Sequence, residues 1–224
     1  MQPCPHILAT RITHDPLPLI ASGSLVQDGW LPAARRLASP HCDERPPGML
    51  PELVVVHGIT LPPGEFGGPW VDDLFLGRLD PAAHPYFAAI AHLRVSAHLL
   101  IRRDGSVTQY VPFHLRAWHA GASVFGGRER CNDFSIGIEL EGTDDGPYAD
   151  VQYERLAGAI HALKVAYPTL AAVAGHADIA PGRKTDPGPA FDWGRLAREL
   201  EMGGLPVRAR QACASGARLA IMTA

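Results

Sequence analysis

Apolar and polar positions recur regularly along three stretches of the chain, and these predict its framework. Leu53-Val54-Val55-Val56 is a continuous apolar run, the pattern of a strand buried on both faces, and it stops at His57-Gly58. Residues 134–141 (FSIGIELE) alternate, with Phe134, Ile136, Ile138 and Leu140 on one face and Ser135, Gly137, Glu139 and Glu141 on the other. From 151 to 167, Leu156, Ile160, Leu163 and Tyr167 recur at helical spacing. An amphipathic helix packing on the sheet is expected there, with Asp150 as its cap, Pro168 as its stop and His161 facing solvent.

Shorter signals fill the gaps. Residues 96–101 and 107–111 flank Asp104-Gly105, a turn pair that predicts a hairpin and rules out a purely parallel sheet. Residues 29–37 suggest a short helical turn, 85–93 a short helix, and 171–175 a strand that delivers His176. Asp192 caps a last helix with Trp193, Leu196 and Leu200 on its buried side. The turn-rich stretch 61–69 (LPPGEFGGP) is a surface loop of the kind that often covers active sites. Strands and helices interleave, so the expected fold is a single α/β domain with a mixed central β-sheet flanked by helices. That domain spans 28–202. Residues 1–27 form an extension, and 203–224 form a tail without periodicity, expected to be mobile.

Composition narrows the function classes. At 224 residues, 46% hydrophobic and 19% charged, the chain is globular. Its net charge of -3 offers no electrostatic case for nucleic acid. No segment is long and apolar enough for a membrane span, and Arg11, His14, Asp15, Pro16 and Pro18 interrupt any secretory pattern, so a cytoplasmic protein with no membrane partner is expected. Cys4, Cys42, Cys131 and Cys213 make no CxxC pair and read as free thiols. Eleven histidines make an imidazole metal site worth seeking.

Candidate chemistry gathers at a few points. His57 ends a buried strand, where open α/β sheets place ligand-binding groups, although a histidine can also simply cap a strand. Glu139 and Glu141 share a face with Gly137, and a glycine inside a strand marks close approach by another group. The bland alternative is a solvated sheet face. His98 reads as structural or as a support behind the site, and Trp118-His119 as either a stacking platform or a packed aromatic corner. The loop 175–189 (GHADIAPGRKTDPGP) bears His176, Lys184 and Asp186. Pro187 biases Asp186 toward an extended conformation, which points Lys184 and Asp186 the same way. Two imidazoles and a carboxylate with an open fourth position are an established zinc pattern, and this donor set suits Zn²⁺ better than Mg²⁺ or Ca²⁺.

The stretches LVVVHGITLPPGEFGGPW, AHPYFAAIAHLRVSAHLLIRRDG, QYVPF, RAWHAG, GRERCNDFSIGIELEGTD and GHADIAPGRKTDPGPAFDW together resemble the zinc amidase family that includes phage lysozyme-type amidases and peptidoglycan recognition proteins. The resemblance implies that His57, His176 and Asp186 hold zinc, that Glu139 is the proton acceptor and that Lys184 stabilises the transition state. It implies hydrolysis of the amide between the lactyl group of 1,6-anhydro-N-acetylmuramic acid and L-alanine, in recycled cell-wall fragments. The expected partner is thus a small anhydromuropeptide, bound by a monomer. Gly58 departs from the family pattern, which has asparagine there, and puts sugar recognition in question. Two rivals remain: a peptidoglycan-binding module without activity, and an exported amidase acting on intact wall.

Overall fold

The computed structural model describes residues 26–209 and 218–221. In chain order the elements are β1 (Arg35–Arg36), β2 (Cys42–Glu44), β3 (Leu53–Ile59), α1 (Trp70–Phe75), β4 (Leu99–Ile101), β5 (Val107–Gln109), β6 (Leu115–Ala117), β7 (Val124–Phe125), β8 (Arg128–Glu129), β9 (Ser135–Glu141), α2 (Asp150–Ala166), β10 (Ala172–Gly175), α3 (His176–Ile179), α4 (Trp193–Met202), β11 (Val207–Ala209) and β12 (Leu219–Ile221). Eight strands form one mixed sheet in the order β1-β5-β4-β9-β3-β10-β12-β11. Its centre is parallel: β4, β9, β3 and β10 run the same way. The hairpin β4–β5 and the pair β11–β12 are antiparallel. This is the mixed α/β fold that the periodicities predict.

Alternation along β3 and β9 sorts side chains between two layers. Val54, Val56, Ile136, Ile138 and Leu140 face α2 and α4 and build the larger core with Leu156, Ile160, Leu163, Leu196 and Leu200. Leu53 and Val55 face the other way and pack on Ala174, Ile179 and Cys131. A separate cluster on that side gathers Leu74, Phe75, Phe87, Leu100 and Tyr110. Neither cluster covers the carboxyl ends of β3 and β9, which leaves His57 and Glu139 facing a gap.

Several expectations change. β3 does not stop at His57-Gly58 but runs to Ile59, because its ladder with β9 continues to Glu141. Residues 29–37 hold no helical turn: Arg35 and Arg36 pair in parallel with Thr108 and Gln109. Residues 85–93 keep only the 3₁₀ turn Phe87–Ala89, pinned by the buried Phe87. The cap of α2 is Ala149, whose N–H is met by the Gln152 side chain, while Asp150 is freed to pair with Arg195. His161 is only partly exposed, and its buried Nδ1 has no hydrogen-bond partner. Asp192 does cap α4, accepting from the Arg195 N–H at 2.8 Å. The segment from 203 is not without regular structure: Leu205, Val207, Leu219 and Ile221 join the larger core, and β12 pairs with β10. Most of the extension 1–27 lies outside the described residues. Cys42 and Cys131 are free thiols, as expected; Cys4 and Cys213 lie outside the described residues.

Candidate metal centre

The parallel register sets His57 directly beside Glu139. Both project from the face of β3 and β9 that α2 does not cover. β10 ends at Gly175, and His176 follows as the first residue of α3. The chain then turns back so that Lys184 and Asp186 line the same cleft as the two histidines and Glu139. All five expected residues therefore meet in a cavity of about 550 Å³, a size suited to a small-molecule ligand. The cleft's other wall is apolar, with Leu61, Pro63, Leu74, Tyr86, Ile90 and Trp118 among its lining.

His57, His176 and Asp186 each offer one donor atom, all within 4.8 Å of one another. His57 Nδ1 lies 2.9 Å from His176 Nδ1 and 3.2 Å from Asp186 Oδ2, and His176 Nδ1 lies 3.1 Å from the same oxygen. The outward-facing nitrogens meet other partners. His176 Nε2 sits 3.2 Å from the Ala120 carbonyl, to which it can donate, and 3.4 Å from the Arg183 guanidinium, from which it can accept. His57 Nε2 lies 2.9 Å from His119 Nδ1. His119 Nε2 in turn lies 3.1 Å from Ser135 Oγ, whose own proton goes to the Cys131 carbonyl at 2.6 Å. Ser135 can thus only accept from His119, His119 Nδ1 accepts from His57, and the Nδ1 of His57 is bare. That lone pair, His176 Nδ1 and the Asp186 carboxylate converge, an arrangement that favours a cation in their midst.

The electrostatics of these groups fit that arrangement. Burial, reinforced by His176, pulls His57 down to about 4, which keeps it neutral and able to ligate. Burial pushes Asp186 upward, but the His176 and His57 rings beside it outweigh that and hold its carboxyl well below the usual range. Glu139 is held well above the carboxylate range, by burial first and then by the charge on Asp186, with Lys184 opposing. Its Oε1 stands 4.0 Å from His57 Nδ1, further than the three donors stand from one another, and its buried Oε2 has no hydrogen-bond partner. Glu139 is therefore set back from His57 and lines the same cleft.

Glu141 is engaged elsewhere. It pairs with Arg102 at 3.0 Å and accepts from the Gly67 N–H at 2.7 Å, tying loop 61–69 to the sheet. Trp118 donates from Nε1 to Asp43 at 3.0 Å, and its ring lines the cleft. His98 is a support behind the site, accepting from the Gly137 N–H at 3.0 Å. Sequence reasoning named His119 only with Trp118, and Ser135 only on the face of Glu139, and did not anticipate their contacts with each other and with His57. The available signal was Gly137, whose missing side chain leaves the space that the His119 ring occupies.

This sheet, with a polar cleft at the carboxyl ends of its central strands, is that of a hydrolase: the chain belongs to the N-acetylmuramoyl-L-alanine amidase family, whose model matches residues 47–189. Over 173 residues it is 66% identical to the 1,6-anhydro-N-acetylmuramyl-L-alanine amidase AmpD of Escherichia coli K12, an alignment covering 77% of this chain and 94% of that one. Among solved structures, a crystal structure of a selenomethionine AmpD derivative matches with a TM-score of 0.77 at 62% identity, covering 79% of this chain and 99% of the other. The solution structure of Citrobacter freundii AmpD matches with a TM-score of 0.59 at 62% identity, covering 80% and 96%.

Proposed function

We propose that the protein is a zinc-dependent amidase that cleaves the lactyl–L-alanine amide of 1,6-anhydro-N-acetylmuramyl peptides during cell-wall recycling in the cytoplasm. One observation carries the metal reading: His57 Nδ1, His176 Nδ1 and Asp186 Oδ2 lie 2.9 to 3.2 Å from one another at the cleft, spaced to share one cation. Two neutral nitrogens and one hard oxygen suit zinc. The substrate is inferred from the activity for which the 66%-identical relative is named.

When bound, zinc would supply Lewis acidity, acidifying water and polarising a carbonyl. The remaining steps belong to this chain's own side chains. Glu139, set back from His57, takes the proton of the attacking water as its oxygen bonds to the lactyl carbonyl carbon. Lys184 faces the cleft from the exposed side, where its ammonium meets the charge that develops on the carbonyl oxygen. The carbon–nitrogen bond then breaks, and Glu139 returns the proton to the alanine nitrogen. A free amine and a lactyl carboxylate result.

Incubating the zinc-loaded protein with an anhydromuropeptide and, separately, with intact sacculus tests the reading by product analysis. Release of the stem peptide from the fragment, with little from sacculus, is expected. Cleavage of sacculus alone would favour the exported-amidase alternative, and binding of the fragment without cleavage the inactive-module alternative.

A further inference from the structure

The His119 ring is held on several sides. Gly137 of β9 gives it room, since a Cβ there would overlap the ring. Asn132 Oδ1 accepts the N–H groups of His119 and Ala120 at 3.2 and 2.8 Å, fixing the backbone beneath the ring. The ring stands nearly perpendicular to His57, at 88° with centroids 5.1 Å apart, so that one nitrogen meets His57 Nε2 end on.

We propose that His119 is a positioning residue that sets the ring orientation and tautomer of His57, and so determines which His57 nitrogen faces the metal. The inference rests on the metal-site reading above. Direction along the chain His57, His119, Ser135 comes from a backbone carbonyl, that of Cys131, which cannot donate and therefore takes the Ser135 proton. Each earlier group in the chain must then donate outward, and the last consequence is a bare Nδ1 on His57. A ligating histidine commonly donates its other N–H to a carboxylate, which adds negative charge behind the ligand. Here the acceptor is a neutral imidazole. It orients His57 without adding charge, so two neutral rings and one aspartate leave a bound divalent ion with a net positive charge for polarising a carbonyl.

The test uses the full chain as wild type, His119→Leu, His119→Gln and Ser135→Ala. Zinc affinity is read by competition with a chromogenic chelator, the ligand geometry by the visible spectrum of the cobalt-substituted protein, and folding by the thermal midpoint of the metal-free form. His119→Leu is expected to weaken zinc binding about 10–100-fold and to alter the cobalt spectrum. His119→Gln, whose amide oxygen can accept from His57, should recover most of the affinity. Ser135→Ala frees His119 to turn its proton toward His57, and should weaken binding several-fold. A leucine variant that binds zinc like the wild type with an unchanged cobalt spectrum overturns the proposal, as does a glutamine variant no better than leucine. Should the leucine variant not fold, Ser135→Ala decides, and unchanged zinc affinity there overturns it. A wild type that binds no zinc sinks the metal-site reading itself and this inference with it.

Discussion

The hydroxyl of Tyr148 occupies the space that a side chain at position 58 would fill: a Cβ on Gly58 would overlap it. The same hydroxyl donates to the Pro187 carbonyl at 2.9 Å, one residue beyond Asp186. Position 58 and the segment carrying the third donor are thus mechanically joined. A side chain cannot be added at 58 without moving the Tyr148 hydroxyl. Gly58→Asn should leave the Pro187 carbonyl unpaired and destabilise the fold by about 1–3 kcal/mol. Tyr148→Phe, which keeps the ring, should cost about 1 kcal/mol. Urea unfolding of both variants measures this; a Gly58→Asn protein as stable as the parent would show that the two positions are independent.

On the proposed function, substitutions at Glu139 and His176 should separate chemistry from metal binding. Glu139→Ala or Glu139→Gln should retain zinc while turnover falls by about 10²–10⁴-fold, because the proton acceptor is gone but the three donors stay. His176→Ala should lose the metal. Zinc at about a hundred times its dissociation constant should stabilise the wild type by about 2.7 kcal/mol, and a chelator should remove that gain. Metal analysis, rates and melts on purified variants decide; full activity in Glu139→Gln would remove the base assignment.

Arg45 is a buried guanidinium spent largely on backbone. It donates to the carbonyls of Asn132 and Asp133 at 3.0 Å, Phe113 at 3.2 Å and Ser135 at 2.9 Å. Burial lowers it to about 10, so it is still a cation at neutral pH. Arg45→Met would strand several buried acceptors at once and should cost about 3 kcal/mol or more. The cost should appear in thermal unfolding, and a near-neutral substitution would mean that water replaces the guanidinium.

His98 predicts a pH dependence. Burial, then the Arg45 cation, lowers it from an ordinary 6.5 to about 3. Between those values the unfolded chain binds more protons than the folded one. Its contribution to stability is therefore whole above the ordinary value and drains away as pH falls toward 3, with a slope of at most about 1.4 kcal/mol per pH unit. Unfolding free energies of the metal-free wild type and His98→Asn, compared across this window, isolate the group. Parallel slopes would remove His98 as a source of acid sensitivity.

What could be read in the sequence follows the length of each pattern. β9, α2 and α4 repeat their period over seven or more residues, β3 opens on an unbroken apolar run of four, and all four stand within a few residues of expectation. β1, β11 and β12 are two or three residues long, too short to show a period, and they are strands because the sheet edge holds them. α1 is too short to show one either. The strand-end rule pointed to His57, the glycine-bearing strand face to Glu139 and the loop 175–189 to His176, Lys184 and Asp186, while the resemblance supplied their expected roles. No rule on residue type separates Glu139 from Glu141: both are buried on one face, and only the third dimension gives one to the cleft and the other to Arg102. The contact of His119 with His57 was hidden because the two lie 62 positions apart.

The pairing of β12 with β10 has a bearing on how far the chain can be shortened. Leu219 and Ala220 lie against Val173 and Ala172, on the side of β10 away from β3. Cut the polypeptide at 203, where the expected tail begins, and that flank of β10 would be left with bare amides and carbonyls. An uncovered flank is a template on which a second molecule can add its own strand. A trimmed protein should keep its five-residue cleft and yet tend to clump.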